Sequence, residues 1–418
     1  MKNATVIYLG CPKNLVLSEK ILGTLNSSGY RLTIPEEAEV AFLLSCGFIE
    51  DAREETEENL NYLIELKRKN ILKRIIFTGC MASFYKNEIK KNFPEVDEIL
   101  APEEISKYLK KEGRRIISTK GYAYLKIAEG CNHRCSFCII PLLTGKYKSK
   151  KLEDIIEEAK ELEEYNLKEI VLIAQDTTQY GKDIYGKPML KILLEELLHK
   201  TSYKWIRLLY LYPETFPYNI LDLMKKNKRI IPYFDLPFQH ISKKILKNMD
   251  RGGDSKTFLR LLNKIREEIS ESTIRSTFIV GFPSETKKEF EELKNFLAEA
   301  KMDRVGFFIY SDEPEAKSFN LKNKVPKKIA KERMLELAKI QKEISLKKHK
   351  FLIGKKLEFL LEEKKGSFGI GRLKSQAPEI DGYLKIENVP NGFQGIGLVE
   401  IKRVSAYNLF GKYYEDNL

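Results

Sequence analysis

Residues 123–138 read AYLKIAEGCNHRCSFC, a short apolar run that leads straight into a loop holding Cys131, Cys135 and Cys138. The run has the length and composition of a buried strand, and the cysteines follow its end. Five more such runs come after it: EIVLIAQ, WIRLLYL, YFDLPF, STFIVGF and RVGFFIY. Helical stretches lie between them, near 151–165, 188–200, 215–227, 241–269 and 286–300. Six consecutive strand–helix units favour a partial or complete parallel barrel over a flat sheet. Ligands of such folds sit at the C-terminal ends of the strands, where the cysteine loop falls.

Upstream, residues 1–118 alternate in the same way. TVIYLG, EVAFLLS and RIIFTG read as buried parallel strands, with amphipathic helices near 13–28, 50–69 and 83–93. The second helix opens on Glu50, Asp51, Glu54 and Glu55 and closes on Lys67, Arg68 and Lys69, which matches the helix dipole. This segment is expected to be an open parallel α/β sheet.

Downstream, residues 322–350 hold eleven Lys/Arg against three Glu and read as a basic helix that Pro326 interrupts early. Leu337, Ile340 and Ile344 form a stripe expected to pack. The opposite face either touches RNA or is simply solvated. From residue 351 the runs shorten and alternate, with Gly and Asn-Gly punctuation, as in a small antiparallel barrel. That part carries ten basic and nine acidic residues, a weak footprint for nucleic acid. The expected domains are therefore 1–118, 122–350 and 351–418.

The 418-residue chain has a formal net charge of +13. This suggests either a polyanionic neighbour or a Lys/Glu-rich surface of the thermophile kind. No apolar run is long enough to span a bilayer, and MKNATVIYLGC offers too little for a secretory signal. A cytoplasmic location is expected. There, the six cysteines need an explanation other than disulfides.

The spacing C-x3-C-x2-C can wrap three thiolates onto three corners of an iron–sulfur cube, leaving the fourth iron open. Zinc is the alternative, and a Cys3His site would need His133. The remaining cysteines are Cys11, Cys46 and Cys80, each just past one of the three N-terminal strands. If those strands are adjacent and parallel, their ends lie side by side where α/β ligands bind. Gly10, Gly47 and Gly79 neighbour them and let backbone approach a bulky group. A buried reduced cysteine is often plain core filling. Three at equivalent strand ends read instead as a second cluster, again with one open iron.

CNHRCSFC matches the cysteine loop of the radical S-adenosylmethionine enzymes. With the N-terminal triad and the small C-terminal barrel, the chain resembles their methylthiotransferase family, which ends in an OB-like TRAM domain. The resemblance covers nearly the whole chain. LGCPKNLVLSE, CGFIEDAREE, LIAQDTTQYGKD, FDLPFQHIS, STFIVGFPSET and SQAPEIDG are similar to the branch acting on ribosomal protein S-twelve. The transfer-RNA branch would show Gln-Ser-Gly where this chain has Gln239, His240 and Ile241. Three departures stand out: LLSCGF, Ser284 in GFPSET, and YSDEPEAKSF in place of a Glu-Gly-Thr stretch.

The resemblance implies a methylthio group added to the β-carbon of an aspartate in S-twelve, free or within the 30S particle. It implies two 4Fe–4S clusters, on Cys131/Cys135/Cys138 and on Cys11/Cys46/Cys80. The open iron of the loop cluster would chelate S-adenosylmethionine, and an electron from that cluster would release a 5′-deoxyadenosyl radical. The open iron of the second cluster would hold the sulfur. Phe137, Gln175 and Ile279 are the candidates to contact S-adenosylmethionine. The electron donor and any catalytic side chain beyond the clusters are unassigned. Rival readings are the same chemistry on a transfer-RNA adenosine, and a non-enzymatic iron–sulfur or zinc RNA-binding protein. Asp176, His240 and Arg275 are polar candidates at strand ends without a role. His199 and His349 are expected at the surface.

Overall fold

The computed structural model describes residues 2–110 and 113–415. They form two compact units. The first gathers the chain up to Ser118 together with Glu129–Lys148 and Glu313–Ala316; the second holds the rest.

The first unit is built on a parallel sheet in the order Arg31–Leu32, Asn3–Tyr8, Val40–Ser45, Arg74–Gly79, Glu98–Ile99. Val40–Ser45 is buried at every position, as an unbroken apolar strand must be when both sheet faces are covered. Leu60, Leu63 and Phe77 pack on one side of the sheet, Ile21, Leu25 and Phe42 on the other. The helices Pro12–Ser27 and Glu50–Arg68 supply much of that cover. Where one helix near 83–93 is expected, the structure has two, Cys80–Phe84 and Lys86–Asn92, which part at Tyr85 (φ −98°, ψ 17°).

In the second unit six parallel strands follow in chain order: Tyr122–Lys126, Glu169–Ile173, Trp205–Leu208, Tyr233–Asp235, Thr273–Val280 and Arg304–Ile309. They form two three-stranded sheets. The sheets are joined where Ile206 bridges Ile230 and where the Leu211 N–H donates to the Asp235 carbonyl (2.9 Å). This is the expected partial barrel. The single helix expected over 241–269 is two, Lys243–Asn248 and Ser255–Glu268, because Gly253 turns the chain with φ +89°.

The basic helix runs Lys327–Lys350. Pro326 is its N-cap rather than an interruption, since a ring without an N–H costs nothing ahead of the first turn. The buried stripe is Ala330, Leu337, Gln341, Ser345 and His349, while Ile340 and Ile344 are only half-buried. His349 is therefore not at the surface. Its Nδ1 lies 2.8 Å from the Ser405 carbonyl. Burial, helped by Arg304, pushes its imidazole down to about 4.

The C-terminal strands close a five-stranded barrel around Phe359, Leu384, Ile386, Val399 and Ile401. It is not wholly antiparallel, because Leu384–Glu387 pairs in parallel with Leu409–Tyr414. The loop SQAPEIDG turns back onto two of the parallel strands, Tyr122–Lys126 and Tyr233–Asp235. Glu379 accepts hydrogen bonds from the Tyr122 (3.0 Å) and Tyr124 (3.3 Å) hydroxyls, and Asp381 from Tyr233 (2.5 Å). Beside them fully buried Glu169 takes Arg207 Nε (2.5 Å) and Arg372 Nη2 (2.6 Å). Burial opposes the Glu169 charge, but the two guanidiniums hold its carboxyl below the usual range.

Candidate metal centre

The three N-terminal cysteines meet because their strands do. Asn3–Tyr8, Val40–Ser45 and Arg74–Gly79 are neighbours and parallel, so their C-terminal ends line one sheet edge. Cys11 is the N-cap of Pro12–Ser27, Cys46 follows Ser45, and Cys80 opens the helix Cys80–Phe84. The turns that make this fit are glycines in left-handed conformations. Gly10 has φ +89°, and a Cβ on it would sit 2.7 Å from both Cβ and Sγ of Cys46. Gly79 has φ +94°, and a Cβ there would fall 2.6 Å from the backbone N and O of Ser45. Neither position tolerates a side chain.

Asn14 locks the edge. Buried in the first turn of its helix, it donates from Nδ2 to the Leu9 carbonyl (2.7 Å) and the Ser45 carbonyl (3.0 Å), tying the first two strand ends together. Its Oδ1 lies 4.0 Å from Cys80 Sγ, so one amide touches the surroundings of all three cysteines. Ser45 Oγ donates to the Thr78 carbonyl (2.7 Å) and accepts from the Met81 N–H (3.2 Å). Sequence reasoning missed Asn14. The signal was its place three residues after Cys11, where the first helical turn faces back onto the strand ends.

The electrostatics suit a cationic guest. Burial pushes the Cys80 thiol up to about 12, and Cys11 and Cys46 add to the rise. Cys46 is raised as well, chiefly by burial and further by Cys11. Thiolates at Cys46 and Cys80 therefore call for positive charge beside them, which a metal cluster supplies. Among the described residues no set of His, Cys, Asp and Glu closes around a single metal ion.

The loop cysteines belong to the same compact unit. The loop is pinned by Cys131 N–H to Gly145 carbonyl (3.2 Å), Cys138 N–H to Cys135 carbonyl (3.1 Å) and Tyr147 N–H to Asn132 Oδ1 (3.0 Å). All six cysteines are unbridged and part-buried. Ile139 and Leu143, just past the loop, form an apolar cluster with Ala316, against which Cys80 and Tyr85 pack. Thus the short segment 313–316, within the departing YSDEPEAKSF stretch, stands beside Cys80. Glu313 anchors it by accepting the Glu50 N–H (3.1 Å) and pairing with Arg53 (2.5 Å).

In the second unit Gln175 follows the strand Glu169–Ile173 by two residues, and Ile279 sits one residue from the end of Thr273–Val280. Both are half-buried, as is Phe137 of the first unit. The unassigned polar candidates have partners. Asp176 caps Thr177–Gln179 through the Thr178 N–H. His240, fully buried, accepts at Nδ1 from the Ser242 N–H (3.0 Å) and faces Glu285 from Nε2 (3.5 Å). Arg275 pairs with Asp235. His199 is exposed, as expected. No helix among the described residues is long and apolar enough to cross a membrane.

Comparison with known proteins agrees with this geometry. Residues 125–297 match the radical SAM superfamily, 3–101 the uncharacterized protein family UPF0004, and 353–413 the TRAM domain. The ribosomal protein uS12 methylthiotransferase RimO of Aquifex aeolicus is 42% identical over 97% of this chain and 96% of its own. The protein of that name from Caldanaerobacter subterraneus subsp. tengcongensis is 44% identical over 99% and 100%. Among solved structures, the radical S-adenosylmethionine methyltransferase TsrM of Kitasatospora setae superposes with a TM-score of 0.54 at 12% identity. That match covers 74% of this chain and 73% of TsrM, a likeness of fold alone. Fold and site together define a radical S-adenosylmethionine methylthiotransferase, whose superfamily carries a 4Fe–4S cluster and S-adenosylmethionine. Within that class the chain belongs to the RimO family of ribosomal protein uS12 methylthiotransferases.

Proposed function

We propose that the chain adds a methylthio group to the β-carbon of an aspartate of ribosomal protein uS12, using two 4Fe–4S clusters. Cys131, Cys135 and Cys138 hold the cluster that binds S-adenosylmethionine; Cys11, Cys46 and Cys80 hold a second. The observation that carries the two-cluster reading is the convergence of three strand-end cysteines in the unit that also contains the loop. The full-length identity to uS12-named relatives favours the protein substrate over a transfer RNA.

Bound at these cysteines, the clusters and S-adenosylmethionine supply the radical chemistry that no side-chain acid or base offers at an unactivated carbon. The chain's own residues position and shield. Asn14, Gly10 and Gly79 hold the second set of thiols at the sheet edge. Ile139, Leu143 and Ala316 keep water from the Cys80 side. Phe137, Gln175 and Ile279 contact S-adenosylmethionine. The electron comes from a separate donor protein, and uS12 is met within the 30S particle, where the exposed lysines of the basic helix Lys327–Lys350 lie against ribosomal RNA.

Anaerobic reconstitution tests this. About eight irons per chain are expected, and about four after replacing either cysteine set with alanine. Mass spectrometry of uS12 should show the methylthio adduct. Modification of transfer RNA alone, or four irons in the intact chain, would overturn the reading.

A further inference from the structure

Arg275 is a half-buried cation whose hydrogen bonds are only partly used. It lies on the strand Thr273–Val280, with its side chain 15% exposed. Among the described residues its one hydrogen bond runs from Nη1 to Asp235 Oδ1 (2.7 Å). Asp235 is held in turn by the Tyr210 N–H at Oδ2 (3.0 Å), which fixes the pair in one orientation. On the neighbouring strand stands Gly306, and Arg275 Nη2 is 3.8 Å from where a Cβ on that glycine would be. A side chain is thus missing beside the unused edge of the guanidinium.

Two other guanidiniums of the same unit, Arg372 and Arg207, are more fully engaged. Arg372 gives Nε to Glu362, Nη2 to Glu169 and Nη1 to the Gln376 carbonyl. Arg207 gives Nε to Glu169 and Nη1 to the Lys374 carbonyl, and its remaining Nη2 is sealed from solvent. Arg372 also demonstrates that one guanidinium in this unit can serve two carboxylates, one on each side. Arg275 has the first of its two in place.

We infer that the Nε/Nη2 edge of Arg275 holds the side-chain carboxylate of the substrate aspartate. A planar fork of two N–H donors matches a carboxylate and mismatches an amide, whose NH2 would face those donors. The clamp also fixes the carbon beside the carboxylate, the one from which hydrogen leaves. Arg275 is in this sense a specificity residue, and the assignment rests on the proposed uS12 reading.

The test uses the reconstituted full-length chain and two synthetic uS12 peptides, with Asp or Asn at the target position. Peptide dissociation constants are measured by fluorescence anisotropy for the wild type, R275K, R275Q and D235N, alongside iron content and S-adenosylmethionine affinity. The wild type should prefer Asp by about 10- to 100-fold, the range of a charge-assisted hydrogen-bonded pair. R275Q should bind both peptides alike, R275K should keep part of the preference, and D235N should retain it. Iron content and S-adenosylmethionine affinity should not move in R275Q. Because the Asp/Asn ratio is internal to each variant, partial loss of folded protein does not mimic the effect. An undiminished preference in R275Q, or a loss of S-adenosylmethionine affinity equal to that of peptide, would overturn the assignment to Arg275 alone. A wild type that binds neither peptide would overturn the substrate reading itself.

Discussion

Replacing Asn14 with Leu should dismantle the proposed second metal centre while leaving the cysteine loop intact. Leucine keeps the heavy-atom count and shape of the amide, so little cavity is made. What disappears is the pair of hydrogen bonds from Nδ2 to the Leu9 and Ser45 carbonyls, at 2.7 and 3.0 Å. The donor Asn14 is only 4% exposed and the acceptor residues Leu9 and Ser45 8% and 0%, so water cannot easily replace the lost amide. An orphaned buried acceptor costs about 1–3 kcal/mol, so two give about 2–4 kcal/mol of local stability after partial relaxation. The readout is amide exchange by mass spectrometry over residues 3–11 and 40–46, with iron counted in a background lacking Cys131, Cys135 and Cys138. Exchange should quicken about 30- to 1,000-fold in those peptides, and iron should fall from about four per chain to well below one. Four irons with unchanged exchange would refute the claim that this amide holds the strand ends together.

Gly10→Ala should have a similar effect for a steric reason, since its methyl group would overlap the Cys46 side chain at a φ that alanine disfavours; iron per chain checks it. Arg372→Met should leave buried Glu169 with Arg207 as its one guanidinium partner and destabilise the second unit by about 2–3 kcal/mol, with the double change Arg372→Met and Glu169→Gln costing less than the sum; limited proteolysis would follow this. His349 should make stability pH-dependent. The folded chain takes up its proton only near 4, against an ordinary value of 6.5, so the contribution is complete above about 6.5 and drains away as pH falls toward 4. The total is about 3 kcal/mol, and His349→Gln should flatten the stability profile across that window.

The strands could be read from the sequence because they are short apolar runs, several of them, such as Val40–Ser45 and Glu169–Ile173, buried at every position, and the six central ones keep chain order. The cysteine edge was legible too, since adjacency of three parallel strands was enough to bring Cys11, Cys46 and Cys80 to one side. Other features depend on tertiary partners that leave no periodic trace. His349 is kept neutral by burial and by the Arg304 charge, which is distant in the chain, against the Ser405 carbonyl that favours its proton. Glycine and proline punctuation was seen but partly misjudged. Pro326 admits a helix rather than breaking one, and Gly253 divides what looked continuous. SQAPEIDG was visible as a family signature, yet its contact with the feet of the parallel strands shows only in three dimensions.

That contact bears on how the chain is made. Glu169 and Arg372 are 203 positions apart, so during synthesis the acid leaves the ribosome long before its second counter-ion exists. At ordinary translation speeds the wait is about 10–40 s. Over that interval the central strands carry an incompletely neutralised carboxylate, and only arrival of the last tenth or so of the polypeptide lets them settle. A nascent enzyme of this kind needs its tail before its middle is finished.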